Sequence, residues 1–394
     1  MPKAIIVGGG IGGLTAALCL AARGWAVRVL EQAPALGEVG AGVQLSPNAM
    51  KVLRKLGLEE AVAAVAFQPD GNEMRIGATG ARVFEIKTDA AAMARWGAPY
   101  LQIHRADLLD ILAGALAERA PEAVRTNALV SGYRQEDGHA VAVLESGEEA
   151  GGDVLVGADG IHSAVRAQML GADAPRFTGA IAWRAVVPTE RLGDLAPPKT
   201  GCVWVGSGRH AVSYYLRGGA LVNLVGVVAR GDWREEGWTL RGTKAEALAD
   251  FTGYHPIVRN IIEQADAHHR WAIYDRPPLP QWAAGRVALL GDACHPMPPF
   301  LAQGAAMAVE DAWVLAAQAA ENPDIPEALR RYRTLRFPRT AKMQKAARAN
   351  GRLFHRRTKL GQWATYGTLK LAARLFPAAM SRRLDWIYGH DVVG

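Results

Sequence analysis

The chain has 394 residues, of which half are hydrophobic and 21% are charged. This composition excludes a disordered chain, and because one core rarely grows past about 250–300 residues, we expect two closely associated domains. The formal net charge of +7 permits an anionic ligand or surface. No basic run is interleaved with aromatic residues as in a nucleic-acid platform, so we expect no nucleic-acid partner.

Cysteines are few, and they stand far apart, at Cys19, Cys202 and Cys294. This pattern is typical of a reducing compartment, and we expect a cytoplasmic protein. Residues 4–22 form an uncharged, mostly apolar run that resembles a signal sequence or a membrane span. The five glycines within that run favour a buried strand and helix instead, and we expect no stable membrane insertion.

The first thirty residues predict a β-α-β unit. An apolar strand at 4–7 leads into a glycine turn, a helix over 14–23 and a strand over 26–30 that ends on Glu31. Gly8, Gly10 and Gly13 fit the G-x-G-x-x-G register, which allows a tight turn, close approach of a pyrophosphate and close helix packing. Glu31 is then placed to accept ribose hydroxyls, which indicates NAD or FAD rather than NADP. The alternative is that the glycines only shape a loop.

Further cofactor contacts are expected downstream. The glycine-rich loop over 32–48 suits a segment lying along the cofactor better than a simple connector, and Asn48 is predicted to open a helix over 49–56. Arg105 stands in the first turn of another helix, where a cation is unfavourable unless a phosphate or flavin edge offsets the cost. A solvated surface arginine is the alternative for that position.

Two buried strands end in acids, at Asp159 after 153–157 and at Asp292 after 287–290. The carboxyl ends of such strands are where an α/β sheet places ligand-binding groups. A helix with small residues at its start, over 305–320, follows the second acid, which suggests that a planar group approaches its backbone.

Between these strands the pattern changes to alternating β-rich segments over 181–229. We expect an antiparallel sheet that forms a second domain inserted in the first. Within one strand His210 and Tyr214 share a face, and Cys202 and Trp204 share a face of the preceding strand.

The tail, 330–394, is helical and basic, and its mixture of cations with aromatic and leucine residues favours an amphipathic helix packed on its own domain or on a dimer partner over a membrane-surface helix. The fold predicted is therefore α/β, a Rossmann-type doubly wound domain with an inserted antiparallel sheet and a C-terminal helical region. The predicted parts are 1–175 and 276–330 for the nucleotide domain, 176–275 with a contribution from 65–104 for the sheet domain, and 331–394 for the tail.

Three motifs in fixed order resemble those of the single-component (group A) flavoprotein aromatic monooxygenases: Gly8-x-Gly10-x-x-Gly13 with Glu31, Gly157-Ala158-Asp159-Gly160, and Gly291-Asp292-Ala293-x-His295-Pro296. The likeness covers nearly the whole chain. The amino-acid sequences of residues 41–50 and 291–311 are most similar to those of salicylate hydroxylases, 3-hydroxybenzoate 6-hydroxylases and 6-hydroxynicotinate 3-monooxygenases.

The resemblance implies FAD as the cofactor, NADH or NADPH and O2 as co-substrates, and hydroxylation of a small phenolic or hydroxy-heteroaromatic acid through a flavin C4a-hydroperoxide, with or without loss of a carboxylate. His295 is expected to be structural, and no metal site is expected. The residues implied to bind FAD are Gly8, Gly10, Gly12, Gly13, Glu31, Gln32, Arg105, Val130, Asp159, Asp292, Gln303, Gly304 and Ala305.

The resemblance also implies a catalytic pairing of His210 with Tyr214 on the sheet that roofs the flavin, with Cys202, Trp204 and Gln44 as substrate-binding residues. A phenol reacts faster as phenolate, so a base such as His should touch its hydroxyl. A satisfied sheet histidine is the alternative for His210. Gln44 stands where pyridine-hydroxylating relatives are expected to carry His, which argues against 6-hydroxynicotinate as substrate.

Two other functions remain open from the sequence. A flavin-free NAD-dependent dehydrogenase would explain the N-terminal unit but would leave the Asp159 and Asp292 motifs without a role. A membrane-associated flavoprotein scaffold would use the basic tail as its anchor.

Overall fold

The computed structural model describes residues 1–37, 42–231 and 240–394, so residues 38–41 of the predicted cofactor loop lie outside the described residues. The strands in this part of the chain are β1 (Lys3–Val7), β2 (Ala26–Leu30), β3 (Gly42–Leu45), β4 (Gly71–Ile76), β5 (Arg82–Lys87), β6 (Leu101–His104), β7 (Val124–Arg125), β8 (Val130–Glu136), β9 (His139–Leu144), β10 (Glu149–Gly152), β11 (Val154–Gly157), β12 (Arg176–Pro188), β13 (Gly201–Gly206), β14 (Arg209–Leu216), β15 (Leu221–Ala229), β16 (Arg241–Gly242), β17 (His268–Asp275), β18 (Ala283–Ala284) and β19 (Val287–Leu289).

The α-helices of the described residues are α1 (Ile11–Ala21), α2 (Pro47–Lys55), α3 (Glu59–Val65), α4 (Ala90–Trp96), α5 (Arg105–Arg119), α6 (Ala164–Leu170), α7 (Lys244–Asp250), α8 (Pro256–Gln264), α9 (Gly304–Glu321), α10 (Ile325–Phe354), α11 (Lys359–Leu375), α12 (Pro377–Arg382) and α13 (Asp385–Tyr388). The predicted helix over 49–56 begins earlier, because Ser46 is the N-cap and Pro47 occupies the first helical position. Asn48 therefore lies inside the helix, and its side chain serves another purpose, described below.

A six-stranded sheet with the order β18-β19-β11-β1-β2-β7 holds the three motifs. Strands β2, β1, β11 and β19 run parallel, with Val7 beside both Leu30 and Gly157, and Gly157 beside Leu289. The strands are apolar on both faces because layers of the protein cover both sides. Parallel pairing brings the carboxyl ends of β1, β2, β11 and β19 to one edge, as the predicted doubly wound fold requires.

An eight-stranded sheet has the order β16-β17-β12-β15-β14-β13-β4-β5. Its long strands follow the alternation predicted from the sequence, and its outer pair, β4 and β5, comes from residues 71–87. The strands predicted over 181–229 pair antiparallel as expected, and β4, which lies outside that range, joins β13 in parallel. Strand β4 enters from the nucleotide-binding part of the chain, so no hairpin dictates its direction.

Side chains on the two faces of this sheet have different neighbours. One face, with Cys202, Trp204, Ala211 and Tyr215, packs with the apolar residues of α7 and α8. The other face bears Tyr214, and a Cβ added at Gly42 of β3 would lie 2.6 Å from the Tyr214 hydroxyl. The second face is therefore the one turned toward the nucleotide-binding part of the molecule.

The predicted C-terminal helical region is confirmed. Helix α10 packs against α9, α11 packs against β5, and α13 contacts α2. The described residues also form two smaller sheets: β10-β9-β8, and the antiparallel pair β3-β6, in which Gln44 lies opposite Gln102.

Candidate active site

The glycine turn after β1 has the geometry that the motif predicts. Gly8 adopts a φ of +104°, and a Cβ there would collide with the carbonyl group of Ala158. A Cβ at Gly13 would overlap the Gly8 carbonyl oxygen, and one at Gly12 would lie 2.7 Å from a methyl of Leu290. A Cβ at Gly10, by contrast, would meet no atom within 4 Å. The turn is closed on the protein side and open at Gly10, the N-cap of α1, where unpaired backbone N–H groups can receive a pyrophosphate.

Glu31 stands at the tip of β2 beside this turn. Its carboxylate accepts hydrogen bonds from the backbone N–H of Gly9 at 2.6 Å and of Ala33 at 2.8 Å. A carboxylate fixed in this way retains lone pairs for ribose hydroxyls. Gln32, the next residue, is exposed. The Ala128 N–H donates to the Glu31 carbonyl at 2.8 Å, and this bond brings the segment just before Val130, the buried first residue of β8, beside Glu31.

The second motif lies directly against the first. The Ala158 N–H donates to the Val7 carbonyl at 2.8 Å, so Asp159 follows the carboxyl end of β11 next to the glycine turn. Asp159 accepts from the Val165 N–H at 3.2 Å at the start of α6. Burial raises the pKa of Asp159, and hydrogen bonds with Ser163 and backbone N–H groups oppose that shift.

The third motif joins the same edge of the sheet. The Leu290 N–H donates to the Gly157 carbonyl at 2.9 Å, and Asp292 follows on a turn whose neighbouring residues, Gly291 and Ala293, are buried. Desolvation by the surrounding protein raises the pKa of Asp292, and the charges of His295 and Arg105 partly offset the shift. Arg105, the first residue of α5, is therefore close enough for its charge to act on this acid.

Helix α9 begins at the same point. A Cβ at Gly304 would lie 4.0 Å from a carboxylate oxygen of Asp292, and Ala305 follows within the first turn. Gln303 is buried, and its amide group donates to the Ser46 hydroxyl at 2.9 Å and accepts from the Asn48 amide at 3.3 Å. The Gln303 side chain thus fixes the helix start, and it is the α9 N-terminus that is presented beside Asp292.

The three motifs converge on one edge, and their residues fit an FAD. The open space and helix N-terminus at Gly10 suit the pyrophosphate. The helix N-terminus at Gly304 suits the flavin edge. The carboxylates of Glu31 and Asp292 suit the sugar and ribityl hydroxyls. Oriented N–H groups at a helix start also favour negative charge on a reduced flavin.

A buried ionic network that the sequence did not reveal supports this edge. Arg336 of α10 donates to Glu310 at 2.6 Å and to Asp311 at 2.7 Å, and Arg339 forms a bidentate pair with Glu310 at 2.7 and 2.8 Å. The Asn48 amide also donates to Glu310, at 2.6 Å. Burial alone would raise the pKa of both acids, but Arg336, with Arg339 at Glu310 and His295 at Asp311, holds them below their ordinary values.

Asp311 connects the network to the third motif. One of its carboxylate oxygens accepts from the Gly291 N–H at 3.2 Å and also bonds to His295, while Arg336 binds the other oxygen. Cys294, His295 and Asp311 form a group of potential metal ligands among the described residues. Arg336 already pairs with Asp311, and burial raises the pKa of Cys294 well above its ordinary value, so the thiol stays protonated. The chemistry of the group is that of an ion pair bracing the Gly291 turn.

The second face of the eight-stranded sheet carries polar groups near Tyr214. Asn223, opposite Tyr214 on β15, is fully buried, and neither atom of its amide group has a hydrogen-bond partner within the described residues. Arg184, on β12, is buried, lies 4.5 Å from the ring of Trp271, and acts on Tyr214 through its charge. Gln44, on β3, accepts a hydrogen bond from the Tyr100 hydroxyl at 2.6 Å.

His210 lies on this face but not beside Tyr214. Four residues of extended strand separate the two by about 13 Å. Its Nδ1 lies 2.7 Å from Nε2 of His355, and the rings of Phe300 and Phe354 are 5.4 and 5.0 Å away between centroids. Burial, and secondarily His355, lowers the pKa of His210 well below its ordinary value, so both rings are neutral at pH 7.

Cys202 and Trp204 are not brought together with His210 and Tyr214. In the β13-β14 hairpin Cys202 pairs with Ser213 and Trp204 with Ala211, which places them on the opposite face, and the Trp204 indole donates to the Ser213 hydroxyl at 2.9 Å. The expectation that they line a substrate site with His210 does not match this geometry. The sequence feature that could have predicted these faces is Ser207-Gly208, a two-residue hairpin turn. The turn sets the register between β13 and β14 and therefore the face on which each side chain lies.

Other residues of the site were harder to identify from the sequence. A polar Asn223 in the otherwise apolar β15 suggests a partner in the core. Nothing in the sequence of the basic tail separates the buried Arg336 and the half-buried His355 from exposed neighbours, so spacing alone does not find them.

Comparisons with known proteins agree with this geometry. A family model described as an FAD binding domain matches residues 2–347. The chain is 38% identical over 395 residues to 3-hydroxybenzoate 6-hydroxylase of Polaromonas naphthalenivorans (strain CJ2), across 98% of this chain and 96% of that protein. It is 36% identical over 357 residues to 6-hydroxynicotinate 3-monooxygenase of Pseudomonas fluorescens, across 89% and 91%. A solved structure of a salicylate hydroxylase substrate complex has a TM-score of 0.81 at 27% identity, covering 99% of this chain and 96% of that one.

The predicted cofactor and fold are thereby confirmed. Neither the flavin-free dehydrogenase nor the membrane-associated scaffold has support in these likenesses, whereas the whole length of the chain matches flavin-dependent hydroxylases. The chain belongs to the FAD-dependent aromatic monooxygenases, oxidoreductases that consume reduced nicotinamide and O2.

Proposed function

We propose that this flavoprotein hydroxylates a small phenolic acid bound between Tyr214 and the turn that carries Asp292. The observation that carries the proposal is the position of Tyr214, with the charge of Arg184 acting on it, on the sheet face that meets Gly42 of β3. Bound FAD would supply the redox chemistry: reduction by nicotinamide, and insertion of one oxygen atom of O2 into the substrate while the other leaves as water. The protein supplies position, a dry site and a proton acceptor.

Binding of the acid rests on Arg184 and its neighbours. The positive charge of the buried Arg184 guanidinium attracts a carboxylate. The Asn223 amide group beside Tyr214 can bond a second substituent of the substrate. Burial raises the pKa of Tyr214, so its hydroxyl stays protonated and acts as a hydrogen-bond donor to the substrate.

Deprotonation of the phenol falls to His210. Its lowered pKa keeps the imidazole neutral at pH 7, and a neutral imidazole can accept a proton at one ring nitrogen while the other passes one to His355. Val212, partly exposed between His210 and Tyr214 on the same face, offers an apolar surface for the ring. A ring with substituents at both ends fits the stretch of about 13 Å between the two side chains.

The substrate class is narrowed by Gln44. Gln44 occupies the position where pyridine hydroxylases are expected to carry a histidine. Its amide group does not titrate and cannot exchange a proton with a pyridine ring as a histidine could. We therefore expect hydroxybenzoates to be preferred over 6-hydroxynicotinate. The relatives are named for each of these two substrates, so both belong in the test.

The experiment measures NADH and NADPH oxidation by the FAD-loaded enzyme with hydroxybenzoates, 6-hydroxynicotinate and benzoate, with 18O2 incorporation into the product as the readout of hydroxylation. His210→Gln should lower the rate of hydroxylation and flatten its pH profile while FAD remains bound. His139→Gln is the control, because His139 is an exposed residue at the start of β9, outside the eight-stranded sheet. If no phenolic acid stimulates oxidation with oxygen incorporation, or if His210→Gln keeps the wild-type pH profile, the proposal fails.

A further inference from the structure

Helix α11 exposes a continuous apolar stripe. Leu360, Trp363, Gly367, Leu371 and Leu375 recur at intervals of three, four, four and four residues and so lie along one side of the helix. The exposed fractions are 75% for Leu360, 76% for Trp363, 57% for Leu371 and 58% for Leu375. The opposite side of the helix is already satisfied, because Tyr366 and Leu369 pack on the sheet. Exposed apolar surface of this extent marks an interaction site.

The surroundings of this stripe are strongly basic. Residues 328–384 hold 16 of the 45 Lys and Arg residues and none of the 38 Asp and Glu residues, so the rest of the chain carries 29 basic residues against 38 acidic ones. None of the eight cations nearest in sequence to the stripe forms a salt bridge with another described residue, and all eight are exposed: Arg352, Arg356, Arg357, Lys359, Lys370, Arg374, Arg382 and Arg383.

A surface cavity adjoins the stripe. It has a volume of about 290 Å³, and its lining includes Arg82, Lys359, Trp363, Tyr366 and Lys370. Arg82 pairs with Glu85, and Lys359 and Lys370 beside the indole ring suit an anionic head group whose attached chain lies against the apolar stripe.

We propose that α11 docks this enzyme reversibly on the surface of an anionic phospholipid bilayer. An apolar face of Trp and Leu flanked by Lys and Arg is the pattern of a helix that lies in the plane of the membrane interface. Each cation near an anionic surface adds to the attraction. The helix docks without crossing the bilayer: within the described ranges, no helix is long and apolar enough to span one.

A second copy of the chain fits the same surface poorly. A symmetric contact places the stripe of one copy against that of the other, so the two sets of eight cations would face and repel each other. A nucleic acid would pair with the cations but would leave the row of leucines without a partner. The docking surface on α11 and the adjoining cavity include none of the residues placed beside Gly10, Asp159 and Asp292.

The test is flotation of the FAD-loaded enzyme with phosphatidylcholine vesicles that contain or lack phosphatidylglycerol, at about 0.1 M and about 0.5 M salt. We expect binding only to the anionic vesicles and loss of binding at the higher salt. The double variants Trp363→Ser/Leu371→Ser and Lys370→Glu/Arg374→Glu should each reduce vesicle partition at least about tenfold, with unchanged melting temperature and turnover.

Two control variants carry matched changes elsewhere. Lys244→Glu lies at the start of α7, on the other side of the eight-stranded sheet, and Leu129→Ser removes a leucine that is 43% exposed. Both should bind vesicles like the wild type. Equal binding by wild type and stripe variants overturns the proposal. So does conversion of a dimer to a monomer by Trp363→Ser/Leu371→Ser, or binding of DNA without binding of vesicles.

Discussion

Replacing Arg336 by Met tests whether the buried ionic network holds the flavin edge together. The side chain is 1% exposed and bridges Glu310 and Asp311, which are themselves fully buried. Removing the cation leaves Asp311 bonded to His295 and to the Gly291 N–H, while Arg339 still pairs with Glu310. Breaking a buried pair from one side is expected to destabilise by about 3–5 kcal/mol.

For a chain of this length an unfolding entropy of about 2.1 cal/mol/K per residue converts that loss into a fall in Tm of about 4–6 °C. The assay is thermal unfolding of the apoprotein, followed by titration with FAD, whose affinity should fall because Asp311 holds the Gly291 N–H. Arg330→Met is the matched control on the same helix. Its side chain is 65% exposed and pairs with Glu327 at the surface, so Tm should change by about 1 °C or less.

The effect of pH gives an independent check. The folded-state pKa values of Glu310 and Asp311 lie below 4.5 and 3.8, so their stabilising contribution is fully present above those values and is lost as the pH falls through the folded-state pKa values. The difference in stability between wild type and Arg336→Met should therefore be full at pH 7 and shrink below about pH 4. A Tm within 1 °C of wild type at pH 7, or a difference that does not vary with pH, would refute the reasoning.

Three further predictions follow from single positions. Gly13→Ala should lower both Tm and FAD affinity, because its methyl group overlaps the Gly8 carbonyl oxygen, whereas Gly114→Ala, in open space on α5, should raise stability by about 0.5–1 kcal/mol in the same unfolding assay. Burial, and secondarily Arg357, lowers the pKa of His355 to about 4 from 6.5, so the unfolded chain binds a proton in that range that the folded chain excludes. Wild type should therefore lose about 1.5 kcal/mol relative to His355→Phe between pH 6.5 and pH 5 in denaturant titrations, and parallel curves would contradict this. Asp292→Ala should weaken FAD binding about 10- to 100-fold, measured by calorimetry, without lowering the Tm of the apoprotein, and wild-type affinity would remove Asp292 from the cofactor site.

The sequence by itself determined the local units of this protein. Gly8, Gly10, Gly13 and Glu31 specify a turn, a helix start and an acid within one short β-α-β stretch, so their geometry depends on neighbours close in the chain. The apolar strands ending at Asp159 and Asp292 and the alternating strands over 181–229 were predictable for the same reason, since buried strands and half-buried strands differ in their periodicity. Family likeness then connected these units to a flavin.

Only the tertiary structure decided which distant residues meet. The buried Arg336 looks like any other cation of the basic tail until α10 packs on α9, and His355 becomes the neighbour of His210 only because the end of that helix reaches the sheet. The faces of Cys202 and Tyr214 were likewise set by the register of two strands rather than by alternation within either one. Long-range packing and strand register depend on the free energy of the whole fold, whereas turns, caps and periodicity depend on a few adjacent residues, and that difference separates what could be predicted here from what had to be observed.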